Sequence, residues 1–300
     1  MTAFFFGLLF VFGLIIGSFL NVLVFRYNPA GKLFDADRLS GRSRCPYCNR
    51  ELNASELVPL WSFFIQKGRC RECKHKLSFQ YPILEFLSGA IFAGVPFFIA
   101  KFYGLGISYF ANFRLDFFYY ALAFLWTLSF LTWLVIAIID LREYVVPNEL
   151  NVLLAVLGIM IGAILVIYAG KFSPFRESFL GQYRLIFSPF GNLILNRLLG
   201  MFAGGAFFGL LIFLSRGRGM GMGDVKLAAA SGLLLGWPDI ALAAIIAFIL
   251  GGFIGGIFLV LDKKTMKDRL PFAPFFVAGI FIMILFGHAL IGGYFSLFNI

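Results

Sequence analysis

The stretch LVIAIIDLREYVVPNEL, residues 134–150, decides the fold. It closes a mostly apolar run that begins near residue 117, and it closes it with a carboxylate, Asp140. A helix of about 20 mostly apolar residues is long enough to cross a bilayer. Pro147 then breaks the chain, because proline cannot continue the helical hydrogen-bond ladder. An acid at that border is costly and therefore a candidate for function.

The apolar pattern recurs along the chain. Spans are expected at about 4–25, 81–100, 117–139, 150–169, 198–214, 227–237, 239–261 and 272–297. The sixth is short and ends at Trp237-Pro238. The 300 residues are 61% hydrophobic and only 13% charged, far from the balance of a soluble domain. The reading is an all-α polytopic membrane protein of about eight transmembrane helices, with a zinc-stabilised loop domain between the first two. Residues 4–25 have no lysine or arginine before them and read as a retained first helix.

Of the 25 lysines and arginines, 19 fall in the loops 26–80, 140–149, 215–226 and 262–271. The opposite loops, 101–116 and 170–197, hold six. By the positive-inside rule the richer side is cytoplasmic. Membrane lipid head groups account for the net charge of +10, and no nucleic-acid partner is expected.

The loop 26–80 contains all four cysteines, as CPYC at 45–48 and CREC at 70–73. Cys45, Cys48, Cys70 and Cys73 have the spacing of a four-thiolate zinc site, in which each Cys-x-x-Cys turn aims two sulfurs at one tetrahedral metal. Asn49, after the first turn, suits a left-handed backbone. Disulfides, redox pairs or four unpaired thiols are the alternatives, and a reducing compartment disfavours disulfides. His75 reads as a surface residue rather than a ligand. A fully thiolate shell leaves no open catalytic position.

Acids at the membrane edges are Glu85, Asp116, Asp140, Asp224 and Asp239. Asp239 reads as a helix N-cap, and Asp116, which begins a span, has the same reading. Glu85, in YPILEF, either pairs with a basic loop residue or faces the bundle interior. Asp140 and Asp224 lie on the same side of the membrane. Asp224 follows the loosened backbone of GRGMGMG, residues 217–223, where Gly219, Gly221 and Gly223 leave room for a substrate chain and Lys226 follows. Two nearby carboxylates share a proton and hydrolyse a peptide bond without a covalent intermediate. The same acids also read as ion-pair partners of Arg142 and Lys226, and the glycines as helix-packing residues. No serine elbow, zinc-protease motif or phosphate loop is present in the sequence.

Taken in order, these motifs resemble the type IV prepilin peptidase family of bacterial inner-membrane proteins. GSFLNVLVFR at 17–26 is similar to its first helix, RSRCPYC at 42–48 and GRCREC at 68–73 to its cysteine knuckles, and SFQYPILEF at 78–86 to its return into the membrane. DLREYVVPNEL at 140–150 and GMGDVKLAAASGLLLG at 221–236 resemble the two catalytic-aspartate segments, and LPFAPFF at 270–276 a Pro-Phe-x-Pro element. Presenilin-type proteases share Gly-x-Gly-Asp but lack the knuckles.

The resemblance implies catalysis by Asp140 and Asp224. It implies removal of the basic leader of type IV prepilins and pseudopilins at the cytoplasmic face, then N-methylation of the new terminus from S-adenosylmethionine. The zinc loop is associated with the methyl transfer, and Gly68, before the second knuckle, is a candidate for shaping that site. Domains are then residues 1–25 as first helix, 26–80 as zinc-binding methyl-transfer domain and 81–300 as membrane aspartic peptidase. Residues 174–190 resemble nothing in the family. A transporter or scaffold is the non-enzymatic rival, disfavoured because both acids sit at one face rather than at midplane. A peptidase without methyl transfer is the other.

Overall fold

The computed structural model describes residues 2–31, 33, 35, 40–103, 117–167, 178–187, 191–217, 219–261 and 270–297. Asp116, most of the 262–271 loop, and residues 174–177 and 188–190 of the unassigned stretch lie outside the described residues. The described chain is helical: α1 (Thr2–Arg26), α2 (Trp61–Ile65), α3 (Gln80–Phe102), α4 (Phe117–Glu143), α5 (Asn148–Ile167), α6 (Arg184–Phe187), α7 (Leu193–Leu214), α8 (Met222–Leu235), α9 (Asp239–Val260) and α10 (Ala273–Leu297). Two compact units divide inside α4, Met1–Leu131 and Thr132–Ile300.

In the first unit α1 packs along α3. Gly13 and Gly17, one helical turn apart, make this possible. A Cβ on Gly17 would lie 2.7 Å from the Glu85 Cα, and one on Gly13 2.8 Å from the Gly89 Cα. Backbones meet here because small residues at four-residue spacing remove the side chains between them. Asn21 Nδ2 donates to the Tyr81 carbonyl at 3.1 Å, and the Phe25 ring stacks on Tyr81 with centroids 4.4 Å apart.

The second unit is a bundle with two chemically distinct ends. One end gathers the last turn of α4, the start of α5, the start of α8 and the start of α10: Lys226 Nζ meets Asn148 Oδ1 at 2.8 Å, and the Ala273 N–H meets Asp140 Oδ2 at 3.0 Å. The other end gathers residues 178–187 and the α8–α9 connection. There Asp239, fully buried, accepts from the Ser178 hydroxyl at 2.6 Å and the Phe179 N–H at 2.9 Å. Asp239 is the first residue of α9, and Pro238 precedes it as the cap; the acid anchors a neighbouring loop instead of capping its own helix.

Seven described helices are long and apolar enough to cross a membrane. The expected eighth is α8, and its 14 residues span about 21 Å at 1.5 Å per residue, short of the roughly 30 Å hydrocarbon core. It stops at Gly236, whose φ of 86° favours glycine. Helix-end carbonyls need partners at membrane depth. Arg197, on α7, supplies them: its Nη1 donates to the Leu234 carbonyl at 2.8 Å and the Leu233 carbonyl at 3.2 Å. Gly200 and Gly204 let α7 lie directly on the α8 backbone at Gly232 and Ala228. Trp133 of α4 donates its indole N–H to Ser231 of α8 at 2.9 Å, tying the short helix to the core.

Candidate active site and metal centre

Asp140 and Asp224 both belong to the second unit and lie at the same end of its bundle. Asp140 sits in the last turn of α4, only 5% exposed, with the Ala273 N–H on its Oδ2. Asp224 is half-buried in the first turn of α8, where its Oδ2 accepts from the Gly221 N–H at 3.3 Å. That reciprocal bond starts α8, so Asp224 lies in regular helix rather than in the loosened backbone before it. The two carboxyl groups are close enough to interact electrostatically. Neither carboxylate has an ion-pair partner among the described residues; Lys226 is engaged with Asn148. The arrangement is a buried acid facing a second acid, with one backbone donor on each.

The glycines around the start of α8 differ in their surroundings. A Cβ on Gly223 would come 3.0 Å from the Val146 Cβ, in the loop just after Asp140. Gly221 meets nothing closer than 3.9 Å, and Gly219 lies 3.3 Å from the Ser215 side chain. An apolar groove of about 340 Å³ borders Gly219 and Met220 on one side and Leu270–Phe272 on the other. Asn151, on α5, is 5% exposed and neither of its amide atoms has a hydrogen-bond partner. Its only sequence signal was a polar residue one turn into an apolar helix.

In the first unit the four cysteine sulfurs lie within 4.8 Å of one another. Cys45 and Cys73 are 3.9 Å apart, far beyond a disulfide bond and near the ~3.8 Å edge of a tetrahedron with metal–sulfur bonds of about 2.3 Å. Two copies of one turn, offset by 25 residues, build the cluster. Each is closed by a short bridge, Arg44 to Glu51 and Arg69 to Lys76. Asn49 and Lys74 take the left-handed backbone after each turn, at φ 58° and 57°. The sulfurs titrate together: the N–H groups of Cys73 and Glu72 draw the Cys70 thiol down to about 7, while for Cys73 the downward pull of the His75 N–H is outweighed by burial and the three neighbouring sulfurs, which push it up to about 11. His75 stacks on Tyr47 instead, with centroids 3.5 Å apart. The donor set and its spacing fit a tetrahedral metal ion.

Glu56 braces this loop. Burial pushes its carboxyl up, but the Asn53 N–H and the Arg50 guanidinium at 2.6 Å override that and hold it below the usual range. Glu85 resolves as a loop anchor: its Oε2 accepts from the Leu60 N–H at 2.7 Å and Ser18 also bonds to it. Gly68 has φ 64°, and a Cβ there would sit 3.1 Å from the Phe63 ring. Phe63, Asn21, Glu85 and the buried Cys45 and Cys70 all line one cavity of about 260 Å³.

Two family models match the chain: the bacterial peptidase A24 N-terminal domain over residues 11–99 and the type IV leader peptidase family over residues 125–260. With its seven candidate spans, the class is a multi-pass membrane protein of a bacterial peptidase family. A prepilin leader peptidase/N-methyltransferase from Bacillus subtilis (strain 168) is 30% identical over 292 residues, covering 96% of this chain and 97% of that one. Proteins of the same name from Burkholderia pseudomallei (strain 1026b) and Aeromonas hydrophila are 30% and 28% identical, over 94% and 98% of this chain and 87% and 95% of theirs. The chain belongs to the type IV leader peptidase family. No solved structure matches it.

Proposed function

We propose that this chain is a bifunctional prepilin peptidase and N-methyltransferase of the bacterial inner membrane. It removes the basic leader of type IV prepilins or pseudopilins at the cytoplasmic face and then methylates the new N-terminus. The observation that carries the peptidase half is Asp140: a buried carboxylate at the end of a membrane helix, held by a backbone N–H and, among the described residues, by no cation, within electrostatic reach of Asp224. The names of the full-length relatives support both halves.

Asp140 and Asp224 share one proton. The ionised carboxylate takes a proton from water as the water oxygen attacks the scissile carbonyl carbon, and the protonated one donates to the carbonyl oxygen. The tetrahedral species collapses, the C–N bond breaks, and the leaving amine takes a proton. The Ala273 and Gly221 N–H groups hold the two carboxylates through this exchange. Gly219, Gly221 and Lys226 border the approach. The substrate's basic leader stays on the cytoplasmic side and its apolar segment lies among the spans.

Cys45, Cys48, Cys70 and Cys73 would hold a zinc ion whose chemistry is structural, folding the loop. S-adenosylmethionine, when bound, would supply an electrophilic methyl group to the new N-terminal amine, which gives up a proton.

Co-expression with a prepilin, read by mass of the product's N-terminal peptide, tests both halves. Wild type is expected to give cut, methylated product. Asp140→Asn and Asp224→Asn are each expected to slow cleavage at least about 10²-fold, and wild type to show a bell-shaped pH–rate profile. Cleavage surviving in either variant, or a flat profile, refutes the dyad.

A further inference from the structure

The cavity of about 260 Å³ in the first unit lies where the ends of α1 and α3 meet the four-cysteine loop. It is near the lower limit of roughly 300 Å³ for small-molecule sites, and partly open. Three features of its wall bear on what it takes. Asn21 is 2% exposed; its Nδ2 is used on the Tyr81 carbonyl, and its Oδ1 has no hydrogen-bond partner. Buried polar atoms nearly always have one, so this acceptor awaits a donor from a ligand or water. Glu85, 8% exposed, contributes a carboxylate to the same wall; Glu56, Arg26 and Arg44 also line the cavity, so it offers groups for a ligand's carboxylate as well as for its cation. Phe25, Tyr81 and Phe63 contribute aromatic surface.

A lipid chain would use neither the amide oxygen nor the carboxylate. A ligand with a flat base, an amino group and a positive charge would use all three: aromatic rings attract planar groups and cations, a carboxylate favours a cation, and the free amide oxygen accepts from an N–H. We infer that this cavity is the binding site of the methyl donor, an adenosyl sulfonium, with Asn21 Oδ1 accepting from the donor's amino group and Glu85 facing its charge. This rests on the methyl-transfer reading above. Cys45 and Cys70 belong to the same wall, so the loop's metal and the donor pocket are built together. Gly68 then acts at one remove, because any side chain there presses on the Phe63 ring.

The test is binding of S-adenosylmethionine and of S-adenosylhomocysteine, which lacks the charge, to the full-length protein in detergent by calorimetry. Asn21→Leu is expected to weaken both at least tenfold. Glu85→Gln is expected to weaken S-adenosylmethionine more than S-adenosylhomocysteine, a split that a merely structural role would not produce. Bound metal per chain equal to wild type shows the loop folded; if Asn21→Leu loses metal, Asn21→Ala takes its place. Wild-type binding and methylation with unchanged affinity in the variants overturns the assignment and leaves methyl transfer standing. A wild type that binds no donor and yields unmethylated product overturns both. Strictly competitive displacement of the donor by a peptide carrying the mature N-terminus makes the cavity the acceptor's, and overturns the assignment alone.

Discussion

Gly221 and Gly223 are two positions apart, yet they bear on catalysis by different routes. Gly221 has φ −94° and ψ 157°, extended backbone that any residue adopts, and it faces open space. Gly223 faces Val146, in the loop that follows Asp140. A valine at 221 therefore meets only what comes from outside, whereas a valine at 223 displaces the protein's own chain beside the first acid. Gly221→Val is expected to leave thermal stability within about 0.5 kcal/mol of wild type and to raise KM for prepilin. Gly223→Val is expected to lower both Tm and kcat. Steady-state cleavage with a melting curve for each variant decides it. An unchanged KM in Gly221→Val would place the substrate elsewhere, and a stable, fully active Gly223→Val would show that the Val146 contact is soft.

The short helix α8 raises the corresponding question for an element. It carries Asp224 at one end and stops at Gly236 at the other, where Arg197 takes up its last carbonyls. The buried guanidinium bonds three carbonyls, Leu233 and Leu234 of α8 and Gly158 of α5; such a charge-assisted bond contributes about 1.5–3 kcal/mol, and its loss also leaves the carbonyls bare. Arg197→Met keeps most of the volume and removes the donors. It is expected to destabilise the protein by about 3 kcal/mol, seen as earlier unfolding in a denaturant series, and to reduce cleavage through the loosened α8 although Arg197 is at the opposite end from the acids. Wild-type stability in that variant would mean water or lipid satisfies the carbonyls. Neither Arg197 nor Glu85 could be given its role from the sequence. The spans were legible because hydropathy is local, and the cysteine turns because ligand spacing is local; the left-handed residue at Asn49 followed from its turn. Arg197 acts on residues 36 and 37 positions away and Glu85 on one 25 positions away. Such pairings depend on which helices meet. In the first unit that is decided by Gly13 and Gly17 against Ser88 and Gly89, small residues that leave no hydropathy signal. Asp239 misled for the same reason: an acid before an apolar run looks like a cap, and only the fold reveals Ser178 and Phe179 beside it.

At the scale of the whole molecule the residues proposed for the two chemistries fall in different units. The cysteine cluster and the Asn21–Glu85 cavity fall within Met1–Leu131, and both aspartates fall within Thr132–Ile300. Among the described residues, the hydrogen bonds at the carboxylate end join Asp140 to the start of α10, Lys226 of α8 to Asn148 of α5, and Asp224 to the turn before its own helix. Among the described residues of the loop between α1 and α3, regular structure is one short helix, a single turn and two isolated bridges. Structural zinc sites of this kind supply folding free energy outright, so removing the ion unfolds what it organises. That unfolding takes the walls at Cys45, Cys70 and Phe63 out of the donor cavity, while the helix-borne aspartates keep their backbone donors. Stripping the metal with a chelator, or replacing Cys70 and Cys73 by serine, is therefore expected to abolish donor binding and methylation and to leave leader cleavage within about threefold of wild type. Mass spectrometry of the pilin N-terminus, alongside metal analysis of the same sample, reads both at once. Cut but unmethylated product is the expected result. Loss of cleavage in parallel with metal loss would mean that the peptidase depends on the loop, and that the two units work as one catalyst.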